Sequence, residues 1–157
     1  MTGSPGHVSP GEIAIANLVF LYAERIDAGD FEGVADLFRS GEITTEGTAL
    51  RRHGYAQVLE MYEGWTRRYE DGTPRTKHVT TNLIIEVDEE SGTAECRSYF
   101  TVLQQTGTLP LQPIIAGRYR DRFERADAAD GSWRFAHRHI VTDLVGDLSQ
   151  HLLQSIT

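Results

Sequence analysis

The chain has 157 residues, 39% of them hydrophobic and 24% charged, which is the size and composition of one globular domain that buries a core without a metal or disulfide. A formal charge of -8, with no basic run longer than Arg51-Arg52-His53, opposes a nucleic-acid backbone, and a single cysteine, Cys96, excludes an intrachain disulfide. No stretch of about 18 apolar residues occurs and residues 1–10 lack the pattern of a secretion leader, so the expectation is a cytoplasmic protein that partners neither membrane nor nucleic acid.

Residues 1–11 (MTGSPGHVSPG) are rich in Gly, Pro and Ser and read as a flexible tail ahead of a single domain over 12–157. Ile15, Val19, Tyr22, Ala23 and Ile26 recur at helical steps, which predicts a first helix over 12–28 stopped by Gly29. Asp30 caps a short second helix that runs to residue 38 with Val34, Leu37 and Phe38 on its apolar side. A short strand over 42–46 follows, then a third helix over 54–69 striped by Val58, Met61, Tyr62 and Trp65. From residue 75 the pattern changes to four long strands, 75–88, 93–105, 113–126 and 132–145, whose short turn-rich separators predict an antiparallel meander. Residues 147–155 read as a closing helix. Helices first and a meander afterwards make an α+β domain, and a sheet of long twisted strands curls around helices to leave a cone with a pocket.

The strand over 75–88 carries the first chemical candidate. At a period of two, His78, Thr80, Asn82 and Ile84 share one face, and Val79, Thr81, Leu83, Ile85 and Val87 share the other. An imidazole beside a hydroxyl and an amide suits a wet internal pocket. Two readings of His78 stand together: a hydrogen-bonded structural histidine, or a general base held by an acceptor on its other ring nitrogen. Asp27 is the candidate acceptor, because at a helix C-terminus the macrodipole disfavours a carboxylate by about 0.3–1 kcal/mol unless a tertiary partner compensates. A solvated helix-end acid is its alternative. Tyr22 precedes Asp27 by five residues, roughly 140° around the helix, so both can border a wide pocket.

On the later strands alternation turns Ala94, Cys96, Ser98, Phe100 and Val102 inward, and Gly117, Tyr119, Asp121 and Phe123 likewise. An inward Asp121 needs a partner, and Arg138 on the next strand is the natural one, either as an internal salt bridge or as part of a site. Both faces of the last strand mix polar and apolar residues, which leaves its inward side open and keeps His137 and His139 as candidate pocket residues. Their spacing suits a two-histidine metal clamp, but no carboxylate or cysteine completes it and Arg138 opposes a cation, so no metal is expected. Cys96 reads as core filler, and nucleophile-elbow and phosphate-loop patterns are absent.

Tyr22-x4-Asp27, the segment 31–38 (FEGVADLF), His78-x3-Asn82, Gly117-x-Tyr119-x-Asp121-x-Phe123 and Asp130-Gly131-x-Trp133-x4-Arg138 together resemble the SnoaL-like branch of the nuclear transport factor 2-like superfamily, over about residues 12–147. The resemblance implies a cone-shaped, strongly curved, mixed but mostly antiparallel sheet wrapped around three N-terminal helices, the cystatin-like α+β barrel. That superfamily includes scytalone dehydratase, bile-acid 7α-dehydratase, hexachlorocyclohexane dehydrochlorinase, ketosteroid isomerase, polyketide cyclases, ring-dioxygenase small subunits and non-catalytic binding proteins. Its dehydratases and dehydrochlorinase use a His–Asp dyad at the positions of His78 and Asp27. Tyr22 matches a tyrosine of the bile-acid enzyme, and Arg138 matches a pocket arginine. On the second long strand, where those dehydratases carry a further Asp or His, this chain has Ser98, Phe100 and Thr101, which leaves a departing hydroxyl to Tyr22 or Arg138. The ketosteroid isomerase pattern fits poorly, since its base is an Asp on a strand.

What the resemblance implies is a cofactor-free lyase or isomerase acting on a hydrophobic hydroxylated molecule of steroid, polyketide or terpenoid type. His78, Asp27, Tyr22 and Arg138 are its expected catalytic residues, and Asn82, Trp65, Ser98, Phe100, Tyr119 and Asp121 its pocket. A homo-oligomer, dimer or trimer, is expected through the outer sheet face with Tyr99 and Arg118. The rival from another class is a non-catalytic binding module, or an assembly subunit like a dioxygenase small chain.

Overall fold

The structure is a computed structural model that describes residues 8–126 and 131–155. The proposed tail and the last inter-strand turn therefore lie partly outside the described residues.

Helix α1, Pro10–Asp27, starts two residues before its apolar periodicity because its cap is complete: Ser9 Oγ accepts from the Glu12 backbone N–H, and Glu12 accepts from that of Ser9. Proline at the first helical position costs nothing, since that N–H has no intrahelical partner. Helix α2, Phe31–Asp36, is capped by Asp30, whose carboxylate accepts from Gly33 N at 2.8 Å. After strand β1, Glu42–Thr45, comes strand β2, Arg51–His53, which the sequence reading misses because three polar residues show no alternation. Helix α3, Gly54–Trp65, stops four residues earlier than its pattern suggests, at an extended Thr66. Strands β3 Thr76–Asp88, β4 Thr93–Gln104, β5 Gln112–Arg125 and β6 Trp133–Val145 form the expected meander.

The six strands make one open, mixed sheet in the order β2-β1-β6-β5-β4-β3. All pairs are antiparallel except β1 with β6, where Ile43 faces Arg138 in parallel register. Helix α1 packs along the edge strand β3, and α2 packs on α3. Ile15, Val19 and Ile26 of α1, Val34 and Phe38 around α2, Val58 of α3 and Ile43, Ile114, Phe123 and Phe135 of the sheet form the core, all at most 2% exposed. Inward alternation on β4 holds throughout, with Ala94, Cys96, Ser98, Phe100 and Val102 buried. Gly117 makes that possible on the facing strand, because a Cβ there would lie 2.9 Å from the Phe100 ring and 2.0 Å from the Val141 carbonyl.

Two of the sheet's bulges overturn the alternation expected around the candidate site residues. On β3, Asn82 and Leu83 together oppose Ser98, and Asn82 takes the left-handed conformation at φ 57°, which asparagine tolerates better than most residues. The parity therefore changes at the bulge: Leu83, Ile85 and Val87 join the core on the same side as Thr76 and His78, and Ile84 is left exposed. The expected face of His78, Thr80, Asn82 and Ile84 is thus corrected to one that excludes Asn82. On β6, Ala136 is the extra residue between Phe135 and His137, which puts Phe135 and Arg138 both inside and settles the side that sequence left open.

The closing helix is also corrected. Residues 147–154 form turns rather than a helix, because their backbone groups pair with the end of α3: Thr66 bridges Leu152, Arg67 N donates to His151 O and Leu153 N to Trp65 O, both at 2.9 Å.

Candidate active site

At the last residue of α1, Asp27 accepts three hydrogen bonds from β3. His78 Nδ1 donates to its Oδ1 at 2.6 Å, the His78 backbone N–H to its Oδ2 at 2.8 Å, and Thr76 Oγ1 to its Oδ1 at 2.8 Å. These bonds account for a carboxylate at the wrong end of a helix dipole. Burial raises the Asp27 carboxyl, but the bonds from His78 and Thr76 together outweigh it and hold the group below its ordinary range. An ionised carboxylate only accepts, so Nδ1 carries the proton of this bond, and in the neutral imidazole Nε2 is the acceptor nitrogen. Both side chains are nearly enclosed, 8% and 10% exposed. A groove of about 560 Å³ between α1 and β3 reaches them past Phe20, Glu24, Lys77 and Thr80.

Deeper in the sheet lies a second charged pair. Arg138 donates two parallel bonds to Asp121, each 2.8 Å, with no exposed surface on either side chain. Its guanidinium sits between the rings of Tyr119, at 3.7 Å, and Tyr22, at 4.1 Å. Stacking of this kind favours arginine over lysine. Burial lowers the Arg138 basicity, yet the Asp121 carboxylate and its hydrogen bonds raise it further, above the usual value. Burial pushes the Asp121 carboxyl up while Arg138 pulls it back. The Tyr22 hydroxyl is hydrogen-bonded to that of Tyr62. Burial raises both phenols, so each keeps its proton, and in their mutual bond one hydroxyl donates while the other accepts.

The predicted residues thus divide. His78 with Asp27 form one cluster; Tyr22, Arg138, Tyr119 and Asp121 form another. Ser98, Phe100 and Tyr119 are 2 to 4% exposed and fill the interior, with Phe100 stacked on Tyr119 at 4.5 Å between centroids. Trp65 is half-buried at the end of α3, and Asn82 stands exposed in the bulge. His137 and His139 turn to the other side of the sheet, where Thr44 Oγ1 lies 2.7 Å from both and Glu46 pairs with His139 at 2.7 Å. Among the described residues no cluster of three or more His, Cys, Asp or Glu is arranged to hold a metal ion. Burial, with Asp121 nearby, pushes the Cys96 thiol up to about 12, which suits a packed residue and not a nucleophile. Three contributors escaped the sequence reading. Thr76 looked like a strand's first residue, Tyr62 like part of an apolar stripe, and His151 lay in a segment read as a closing helix.

A family model described as the SnoaL-like domain matches residues 11–139. The chain belongs to this family. Solved structures with the SnoaL-like chain's architecture include a single-substitution variant of Rv3472 from Mycobacterium tuberculosis, a protein of unknown function, with 26% identity, coverage of 89% of this chain and 79% of that one, and a TM-score of 0.67. A candidate scytalone dehydratase from Novosphingobium aromaticivorans DSM 12444 shares 25% identity over 87% of both chains, with a TM-score of 0.65. An NTF2-like protein with a cystatin-like fold from the same organism, 20% identical over 87% of this chain and 92% of that one, has a TM-score of 0.65 and supports the fold alone. No curated protein matches the sequence. In this SnoaL-like chain no described helix is long and apolar enough to cross a membrane.

Proposed function

We propose that this SnoaL-like protein is a cofactor-independent lyase of the dehydratase type, acting on a hydrophobic hydroxylated molecule through His78 and Asp27. The observation that carries the reading is the 2.6 Å bond between His78 Nδ1 and Asp27, both of which line a groove, with Nε2 left as the acceptor nitrogen of the neutral ring. In the elimination His78 Nε2 takes a proton from carbon, and the C–H electron pair forms the new double bond. The C–O pair then departs with the hydroxyl oxygen, and the imidazolium returns the proton to that oxygen as water. Asp27 fixes the tautomer and stabilises the imidazolium. Tyr22, whose hydroxyl is bonded to that of Tyr62, walls the interior side of the site, and Arg138, which has no exposed surface, acts through the Tyr22 ring as a positioning residue. Ser98, Phe100, Tyr119 and Asp121 set the interior wall, and Trp65 its approach.

Turnover of a nitrobenzisoxazole, a carbon acid whose ring opens when a base removes its C–H proton, tests the base directly. His78→Ala is expected to lose about 10²- to 10⁴-fold in rate. An unchanged rate would refute the dyad. A second reading, a binding module without chemistry, draws support from the closely filled interior around Phe100 and Tyr119. It predicts ligand binding indifferent to pH and to His78→Ala. A homo-oligomer, dimer or trimer, formed through the outer sheet face fits the exposure of Tyr99 beside the Arg118–Asp143 ion pair.

A further inference from the structure

The donors expected to meet a departing oxygen are already committed. Tyr22 gives or takes its hydroxyl bond with Tyr62, Arg138 is enclosed with Asp121, and β4 offers only Ser98 and Phe100 where an acid would help. The segment 147–154 brings another group to this place. It is tied down at successive residues: Arg67 N donates to His151 O at 2.9 Å, Leu153 N to Trp65 O at 2.9 Å, Gln104 Nε2 to Gln150 O at 3.1 Å, and the Tyr69 hydroxyl to Gln150 O. Held this way, His151 is 9% exposed, its Nδ1 is buried with no hydrogen-bond partner, and its imidazole lies within electrostatic reach of both His78 and Asp27. A buried ring nitrogen without a partner is uncommon in folded proteins, and the residue before His151 is held by Gln104, which pairs with Thr76 at the start of β3, two residues from His78.

We propose that His151 is a further catalytic residue, whose imidazole N–H donates a hydrogen bond to the substrate oxygen on which charge develops while His78 removes the carbon proton. This rests on the elimination reading above. Burial first, and then the neighbouring His78, push the His151 imidazole down to about 4, against the opposing pull of Asp27. At neutral pH one ring nitrogen therefore carries a proton and the other a lone pair. An uncharged donor suits this position, because a second cation would oppose the imidazolium forming on His78. His151 surrenders no proton in the step. The proton taken by His78 is the one returned to the leaving oxygen, so the balance of the elimination is unaltered.

A series of ring-substituted nitrobenzisoxazoles, in which the departing phenolate oxygen varies in basicity, separates this role from a packing role. His151→Phe fills the same space and is expected to slow the least acidic leaving groups at least tenfold more than the most acidic, giving a steeper leaving-group dependence. His151→Gln, which restores an N–H donor, is expected to bring the shallow dependence back. Equal slowing across the series, or no slowing, overturns the role of His151 while leaving His78 as base. If the wild-type protein shows no His78-dependent turnover of any member, the dyad reading fails and takes the His151 role with it. Should His151→Phe not fold, nitrogen NMR of the wild-type chain answers the question. Adding the cyanonitrophenolate product must move the His151 imidazole N–H resonance downfield, and a resonance that stays in place overturns the proposal.

Discussion

Replacing Asp27 with asparagine tests the dyad with the smallest change of shape. Asp27 accepts three bonds in the native site, two at Oδ1 and one at Oδ2. An amide has one oxygen to offer, so either orientation of the new side chain would turn an NH2 group toward a donor. If the amide oxygen keeps the His78 backbone N–H, its NH2 meets Nδ1, and the imidazole must move its proton to Nε2 to accept. The lone pair that removes the carbon proton is then lost. Turnover of the nitrobenzisoxazole should fall by about 10²- to 10⁴-fold, the range ascribed to a positioned general base. Bonds to a charged acceptor contribute roughly 1.5–3 kcal/mol each, and the amide retains some, so the unfolding free energy should fall by about 2–3 kcal/mol. Urea unfolding followed by tryptophan fluorescence measures this. The linkage has a definite sign as well. Asp27 sits below its ordinary carboxyl value of 3.8, so its contribution is complete above that pH and is lost as pH falls through the folded value. Asp27→Asn should therefore lose less stability on acidification than the wild type. A variant with wild-type turnover, or one whose acid unfolding is unchanged, would refute this account of the site.

Asp121→Asn leaves Arg138 enclosed without its counter-ion, and the unfolding free energy should fall by about 3–5 kcal/mol; a loss under about 1 kcal/mol in urea unfolding would mean that the pair is not enclosed as described. The His151 imidazole, ordinarily near 6.5 and here near 4, favours proton uptake by the unfolded chain between those values, so stability should rise with pH across that window by on the order of 3 kcal/mol. In His151→Gln, thermal unfolding scanned from acid to neutral pH should show that slope removed. Gly117→Ala drives a methyl into the Val141 carbonyl and the Phe100 ring, with an expected cost of about 1–3 kcal/mol in urea unfolding, and an unaffected midpoint would contradict the close approach of β5 and β6. Asn82→Gly should be tolerated and Asn82→Val should cost about 1–3 kcal/mol, because a β-branched residue resists a φ of 57°.

The alternating strands and amphipathic helices were legible because burial on one face imposes a period that survives in the sequence. Asp27 was legible for the opposite reason, as a charge where its helix disfavours one. Its bonds to His78 and Thr76 are the tertiary compensation that the local rule lacked. The bulge at Asn82 was hidden because one extra residue flips the parity of a strand without altering its composition, and the alternation on either side still looks regular. The same device at Ala136 explains why the two faces of β6 could not be told apart from the residues alone. Strand β2 and the segment 147–154 share a different obstacle. Neither buries a stripe of its own, and each is held by bonds to distant backbone, from β1 and from the end of α3. His151 went unseen for that reason, although it is buried within electrostatic reach of His78 and Asp27, whereas Asn82, which the sequence placed in the pocket, stands exposed.

The claim on which the rest depends is that Asp27 holds His78 as the tautomer protonated at Nδ1. Nitrogen NMR of the ring-labelled wild-type chain at mildly alkaline pH reads this directly. The account predicts a His78 Nδ1–H resonance shifted downfield by its bond to Asp27, together with an unprotonated Nε2, and both signatures should be lost in Asp27→Asn. A His78 ring protonated at Nε2 with a bare Nδ1 would contradict it.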